Sequence, residues 1–475
     1  MEVTFNYIRN KIRNYKTEDL LGLCYYYIDH KNKEKFPIWV IFTLMKWSYV
    51  HGGYNTISKK LDEKEFLKII NLIFQFNNNH VIGFIKTNIH SSFHILYSQQ
   101  FYLLKSVHTT VFATQLKLYS TIQGKYDIEK SFKEKTGLSI FDLIYLQQIL
   151  WLITIDTEDH FKYRGYITND LIRIMSELTT EEKVTSFLRL LTLDSSDPSE
   201  KIQKFKRGIK NQNLQPLETS FFTIYPFQTW NNAIKVLHSS ILNYFFNYYI
   251  YDFMKSEDES FPKEFGNRFE KYIEFTIKEL GCKFMNESAI KKILPKNSNV
   301  VDFYIQESNI FVECKAIEIQ AYTSINPTEE LLYSSLKDSL LKAYFKQLIN
   351  VAKTINPKEE NWGIILTYKE LFWGDFTELY QLGKDKFTNS EDSTYILPEN
   401  VFIIDIYTWN AVVQIVKDQK ASLIDILRIA KVNNSSSQTR KQFFNMHLDI
   451  YDIQNTNLSF LSEETGQLNF QKTNN

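Results

Sequence analysis

The chain has 475 residues and a mass of 56.4 kDa, more than one ordinary hydrophobic core supports, so two domains are expected. With 44% hydrophobic and 23% charged residues, and 29 Tyr and 37 Phe beside only 14 Gly and 9 Pro, the composition excludes a disordered or fibrous chain and favours long helices. Lys+Arg and Asp+Glu are equal at 55 each, so no overall field draws the molecule to nucleic acid and any such contact must come from a local basic surface.

Up to about residue 254, apolar residues recur at three- and four-residue spacing, as in Phe66, Ile69, Ile70 and Ile73, and again in Leu143, Leu146 and Leu150. That period predicts an all-α N-terminal domain, 1–254, with targeting, regulatory or assembly roles. Helix starts are expected at Thr17, Ser139 and Thr179-Thr180, polar residues that precede acidic or apolar runs. Breaks are expected at Gly52-Gly53, 194–198 and Pro216. The acidic cluster Glu257-Asp258-Glu259 and Pro262 mark the domain boundary. Beyond it the pattern predicts a helix over 264–280 closed by Gly281, strands over 300–305 and 310–316 around a polar turn, and a long helix over 329–354. Strands over Trp362–Thr367 and 401–407 follow, the second leading into a helix. This order implies an α/β domain, 255–432, with a central mixed sheet and helices on its faces. From 433 to 475 Asn, Ser, Gln and Thr dominate, predicting a peripheral, partly ordered tail in which 443–451 adds at most one strand.

Within the strand 310–316, Glu313 and Lys315 are two residues apart and so leave the same face, while Cys314 points to the other. Asp302 stands eleven residues earlier, a separation suited to an adjacent strand joined by a short turn. Phosphodiester hydrolysis needs hard oxygen ligands for Mg²⁺, a cation to offset charge in the transition state, and a positioned water. Asp302 and Glu313 supply the first. Lys315 supplies the second and can hold or help deprotonate the water, and the backbone carbonyl of Cys314 can complete the metal shell.

Asp302 followed by Glu313-Cys314-Lys315 at the end of an apolar strand resembles the PD-(D/E)XK nuclease superfamily. The likeness spans roughly residues 264 to 417. Upstream, Gly266-Asn267-Arg268-Phe269-Glu270 is similar to the G-x-x-x-E helix of Mrr-type restriction nucleases and archaeal Holliday-junction resolvases. Glu270 is by that resemblance a fourth site residue and metal neighbour, with Glu274 one turn on as its alternative. Downstream, Gln347 in Lys346-Gln347-Leu348 matches a glutamine the family places on the following helix. Val301 stands where the family has its proline. The resemblance implies a restriction-endonuclease-like fold and Mg²⁺-dependent cleavage, with Mn²⁺ as substitute, that leaves a 5′-phosphate, on DNA in most members. By family habit the setting is restriction or antiphage defence.

Each of these residues also has an ordinary reading. A strand E-x-K pair is commonly a solvated charge pair; it is the added Asp302, Glu270 and apolar run that favour catalysis. Lys291, Lys292 and Lys296 can touch phosphates or simply line a loop, and Lys201, Lys204, Lys206, Arg207 and Lys210 form a basic stretch of the kind that is usually an exposed helix face. His90 and His94, four apart, lack a third ligand and favour non-metal roles. The aromatic stretch 244–253 can stack bases, but burial is favoured. Gly124-Lys125 lacks the upstream glycine of a phosphate loop. Cys24, Cys282 and Cys314 are odd in number and far apart, so no disulfide or zinc framework is expected, and a reducing cytoplasm is inferred. The N-terminal residues lack a secretion signal. The apolar stretches 141–155 and 241–253, which contain Gln147, Gln148, Asn243 and Asn247, fall short of a span, so no membrane association is expected. Uncontrolled cleavage would be harmful in a cell, so self-assembly or a regulatory partner protein is expected to restrain the enzyme. The alternative is an inactive nuclease-fold subunit that binds or assembles with a partner.

Overall fold

The computed structural model describes residues 3–31, 37–52, 59–85, 109–155, 165–194, 199–202, 221–320, 323, 327–373, 375–387, 395–441, 443–453 and 456–469. Its architecture is mixed α/β, mostly helical, with two small mixed sheets. In the N-terminal half, helices such as Ile38–His51, Glu63–Ile85 and Ile140–Ile155 supply most of the core. Among the described residues no single helix is long and apolar enough to cross a membrane; Ile128–Thr136 and Ile140–Ile153 pass that test only together, across a 70° bend. The expected caps form at Thr180, whose side chain accepts from the Lys183 amide, and at Ser139, which accepts from Asp142. Thr17 is a correction: it is the first helical residue of Thr17–Tyr26, and its hydroxyl donates to the Ser48 carbonyl instead of capping.

The expectation of an all-α first half is also corrected. Strands β1 (Tyr166–Ile167), β2 (Thr192–Leu193), β3 (Phe227–Trp230) and β4 (Ala233–Val236) form a sheet in the order β1-β4-β3-β2. Strands of two to four residues are too short to imprint a period-two pattern. β3 and β4 form a hairpin whose loop residues Asn231 and Asn232 have φ of 50° and 61°, the left-handed conformation that asparagine tolerates in tight hairpin turns.

The second half is built on β5 (Phe284–Asn286), β6 (Phe303–Ile305), β7 (Ile310–Lys315), β8 (Trp362–Thr367) and β9 (Val401–Asp405), in that spatial order. β5, β6 and β7 are antiparallel neighbours, whereas β8 and β9 run parallel to β7. β6 is shorter than expected; Val300 and Val301 precede it outside the ladder. Asn309, at φ 50°, closes the turn into β7. Helix Phe261–Glu279 ends at Gly281, whose φ of 68° is of the kind that favours glycine. The long helix expected over 329–354 is irregular: Glu329–Leu336 passes through π-helical turns Lys337–Leu341 and Ala343–Leu348 before Ile349–Ile355. Helix Thr377–Phe387, between β8 and β9, was not expected.

The sheet is buried on both faces. Phe303, Ile305, Ile310, Val312, Ile364 and Leu366 join the core that holds helices Phe261–Glu279 and Ile406–Lys417, while Tyr304, Phe311, Ile365 and Ile403 join a second core with Leu340, Tyr344 and Leu348. The first of these cores continues into the N-terminal helices across the expected boundary. There helix Ser239–Glu257 is followed almost at once by Phe261–Glu279. Buried polar links tie the halves together: Thr114, Tyr272 and Asn410 share hydrogen bonds, and Arg268 donates to the carbonyls of Tyr119 and Tyr126 at 2.8 and 2.9 Å. A Cβ on Gly124 would overlap the Glu264 carboxylate, so this glycine serves close packing.

The tail is not peripheral. Leu458, Leu461 and Leu468 are buried, and Glu464, fully buried, pairs with Lys117 at 3.1 Å. Residues 443–451 form no strand; Phe444–His447 and Asp449–Tyr451 are 3₁₀ turns, because Phe444, His447 and Leu448 turn inward at three- to four-residue spacing instead of alternating.

Candidate active site

Antiparallel pairing sets Phe303 opposite Val312. Continued by one step, this register puts Asp302 beside the end of β7 at Glu313, on the same face of the sheet. Asp302 Oδ2 accepts the Cys314 amide at 2.7 Å, replacing the ladder bond lost where β6 begins. A strand residue's N–H and C=O leave by the same edge, so the Cys314 carbonyl also lies on the Asp302 side. The Cys314 side chain packs against the opposite core, as period-two alternation requires.

Glu313 is 1% exposed. Its Oε1 accepts from Lys315 Nζ at 2.5 Å and from Gln347 Nε2 at 2.6 Å. Gln347 Nε2 also donates to the Val300 carbonyl at 2.8 Å, so one amide fixes both the carboxylate and the approach to Asp302. Glu313 Oε2 is buried with no hydrogen-bond partner, and so is Gln347 Oε1. An unpartnered carboxylate oxygen inside a protein is costly unless a cation or donor fills the place.

The electrostatics are those of a crowded anionic site. Burial, with the Glu313 charge second, pushes Asp302 up to about 7. Burial also raises Glu313, against the pull of Lys315. Burial opposes the charge on Lys315, but the Glu313 carboxylate outweighs it, so the ammonium is held above its ordinary value. Lys315 therefore stands as a cation, which favours charge stabilisation over proton abstraction. Glu270 approaches from helix Phe261–Glu279, on the other side of the sheet. Burial, then the Asp302 charge, lifts it to about 7. Glu274 is paired with Lys278 at 2.7 Å, whereas Glu270 lies within the field of the Asp302 charge.

Among the described residues no group of three or more His, Cys, Asp or Glu side chains is gathered tightly enough to hold a metal by itself. Mg²⁺ does not require one, since it commonly binds one or two carboxylates and keeps waters or substrate phosphates for the rest. The donors fit such an ion: two neighbouring carboxylates, one with an unpartnered oxygen, and a main-chain carbonyl on the same edge.

Lys291, Lys292 and Lys296 are exposed near this edge, with Lys291 paired to Glu287 at 2.5 Å. The aromatic stretch 244–253 is buried, as favoured: Tyr248 and Tyr251 pack against Tyr368, and Tyr251 against Phe265. His90, His94, Lys204, Lys206, Arg207 and Lys210 lie outside the described residues.

A neighbouring cluster was not foreseen. Lys369, two residues past β8, contacts Asp252 and Glu318, donates to the Tyr244 hydroxyl at 3.1 Å, and lies over the rings of Tyr244, Tyr248 and Tyr251. Glu318 also binds Lys255, and the Tyr251 hydroxyl donates to the Ala316 carbonyl. This clamp fastens helix Ser239–Glu257 to the chain just after Lys315. No sequence motif announces it, because its members are brought together only by the fold. No family model, curated protein or solved structure matches the chain.

Proposed function

We propose that the chain is a Mg²⁺-dependent endonuclease of the PD-(D/E)XK type, with Asp302, Glu313 and Lys315 at its centre and Glu270 and Gln347 in support. The observation that carries this reading is the Glu313 carboxylate: Oε1 is fixed by Lys315 and Gln347, while Oε2 is buried with no partner beside Asp302. Asp302, Glu313 and the Cys314 carbonyl would hold the ion, with Glu270 adding negative charge nearby. When bound, Mg²⁺ supplies Lewis acidity and lowers the pKa of a coordinated water. Gln347 keeps Glu313 in one orientation, so that its second oxygen stays available. Lys315 offsets negative charge building on the scissile phosphate. DNA is the favoured substrate and antiphage restriction the favoured setting, both on the strength of the resemblance alone.

The test is incubation of purified full-length protein with Mg²⁺ or Mn²⁺ and plasmid, linear duplex, single-stranded DNA and RNA, beside Asp302→Asn and Lys315→Ala. Metal-dependent cleavage by the wild type alone is expected. Equal cleavage by all three proteins would refute the site, and no cleavage of any substrate would favour an inactive assembly subunit.

A further inference from the structure

We propose that helix Ser239–Glu257 sets the position of Lys315, and that Glu318 and Lys369, through which it does so, are positioning residues for the reaction. The role of Lys315 rests on the nuclease reading, whereas the mechanical link can be measured without it. Lys315 is the last residue of β7, opposite Thr367 of β8. Beyond it the chain turns at once, the Ile317 amide donating to the Lys315 carbonyl at 2.8 Å. At the end of a strand no further ladder holds the backbone, so the aim of this side chain depends on what grips the chain that follows.

One face of helix Ser239–Glu257 provides that grip. Asn247, Tyr251 and Lys255 recur at four-residue spacing and so stack along one side, with Asp252 beside them. The Asn247 carbonyl accepts from Tyr368, just after β8, at 3.2 Å and from Tyr407, just after β9, at 3.1 Å. The Tyr251 hydroxyl donates to the Ala316 carbonyl at 3.4 Å, and Lys255 pairs with Glu318. Lys369 pairs with both Asp252 and Glu318, and its carbonyl accepts from the Thr367 hydroxyl at 2.8 Å. The helix is thereby bonded to the chain leaving each of the three parallel strands, at the carboxyl ends where α/β sheets place their ligands.

Two features mark this as positioning. Buried charges join elements no more cheaply than apolar packing does, but they hold one geometry. Moreover the helix passes through residues 258–260 into Phe261–Glu279, which carries Glu270. The placing of one helix therefore bears on Lys315 from one face of the sheet and on Glu270 from the other, while Asp302 and Glu313 stay with their own strands.

The experiment uses Glu318→Ala in the full-length protein. Lys369 then keeps Asp252 and the Tyr244 hydroxyl, so no buried charge is stranded. Glu318→Gln retains an acceptor for both lysines, and Leu468→Ala, at a buried leucine of the tail, lowers stability without touching the link. Amide exchange in EDTA is expected to quicken about tenfold over residues 314–319 in Glu318→Ala and to stay unchanged there in Leu468→Ala. On the substrate the wild type cleaves, Glu318→Ala is expected to lower kcat by about 10- to 100-fold with calorimetric Mg²⁺ affinity unchanged. Glu318→Gln should recover most of both effects, and Leu468→Ala should keep the wild-type rate. Unchanged exchange over 314–319 in Glu318→Ala, the same quickening in Leu468→Ala, or cleavage by Glu318→Ala at the wild-type rate would overturn the proposal. A wild type that cleaves nothing would sink the nuclease reading and with it the catalytic role of Lys315, and the exchange result alone would then uphold or overturn the helix's hold on the strand end.

Discussion

Replacing Asp302 with Asn should make the metal-free protein more stable at neutral pH while abolishing the proposed cleavage. Asp302 is held at about 7, against an ordinary value of 3.8. At about 1.36 kcal/mol per tenfold, that difference sets a ceiling of about 4 kcal/mol on the cost of keeping this carboxylate charged in the fold. The sign follows from the direction of the shift. A carboxyl raised in the folded state gives stability that is fully present below its unfolded value, near pH 4, and lost as the pH rises through about 7. Glu270, also at about 7, acts the same way. Asn keeps an oxygen to accept the Cys314 amide but carries no charge, so it should recover roughly 1–3 kcal/mol at pH 7.5, or a few degrees in melting midpoint. At pH 4 the advantage should vanish, because the wild-type carboxyl is then neutral as well. The assay is thermal melting of both proteins in EDTA from pH 4 to 8, repeated with Mg²⁺, which should stabilise the wild type at pH 7.5 and leave the variant unmoved. A variant that melts at or below the wild type at every pH without metal would refute the reasoning, since Asp302 would then not be a strained anion.

Other outcomes follow from the same geometry. Lys315→Ala removes the cation beside Glu313 and should lower cleavage at saturating Mg²⁺ by about 10²–10³-fold, measured as initial rate on the preferred substrate. Gln347→Ala frees Glu313 to rotate and should weaken Mg²⁺ affinity by about 10–100-fold, read from the metal dependence of cleavage, with the maximal rate less affected. Lys369→Met leaves Asp252 with only the Tyr244 hydroxyl and Glu318 with only Lys255, and should destabilise the chain by up to about 3–5 kcal/mol in urea melts; adding Asp252→Asn should recover part of that loss.

Much of the sheet, and the placing of Asp302, Glu313 and Lys315 at its edge, could be read from sequence because the relevant signals are local. The apolar run before Glu313 and Lys315 marks β7, period-two alternation fixes which side chains share a face, and a short turn brings Asp302 back alongside. Gln347 was found only through resemblance: no periodicity says that its amide will reach across to Glu313. The small sheet of the first half was missed because β1 and β2 are only two residues long, although Asn231-Asn232 carried a hairpin signal that could have been used. The tail misled because its polar composition hides a few buried leucines spaced along it. Burial depends on where the rest of the fold leaves a gap. For the Lys369 clamp the reason is similar, since Asp252 lies on a helix and Glu318 and Lys369 on two separate loops.

The π-helical turns Lys337–Leu341 and Ala343–Leu348, the second of which carries Gln347, have a consequence for how this site tolerates change. Each wide turn stores a residue that a regular α-helix would not hold, and each α-helical residue corresponds to about 100° of rotation. Gln347 therefore meets Glu313 only in a shifted phase. Deleting Ser339 would let the segment relax into ordinary winding and swing the amide to another side of the helix, although every side chain that touches the site would still be present. The spacing between Glu329 and Gln347 thus acts as a setting in its own right, one that shortening by a single residue would put out of register.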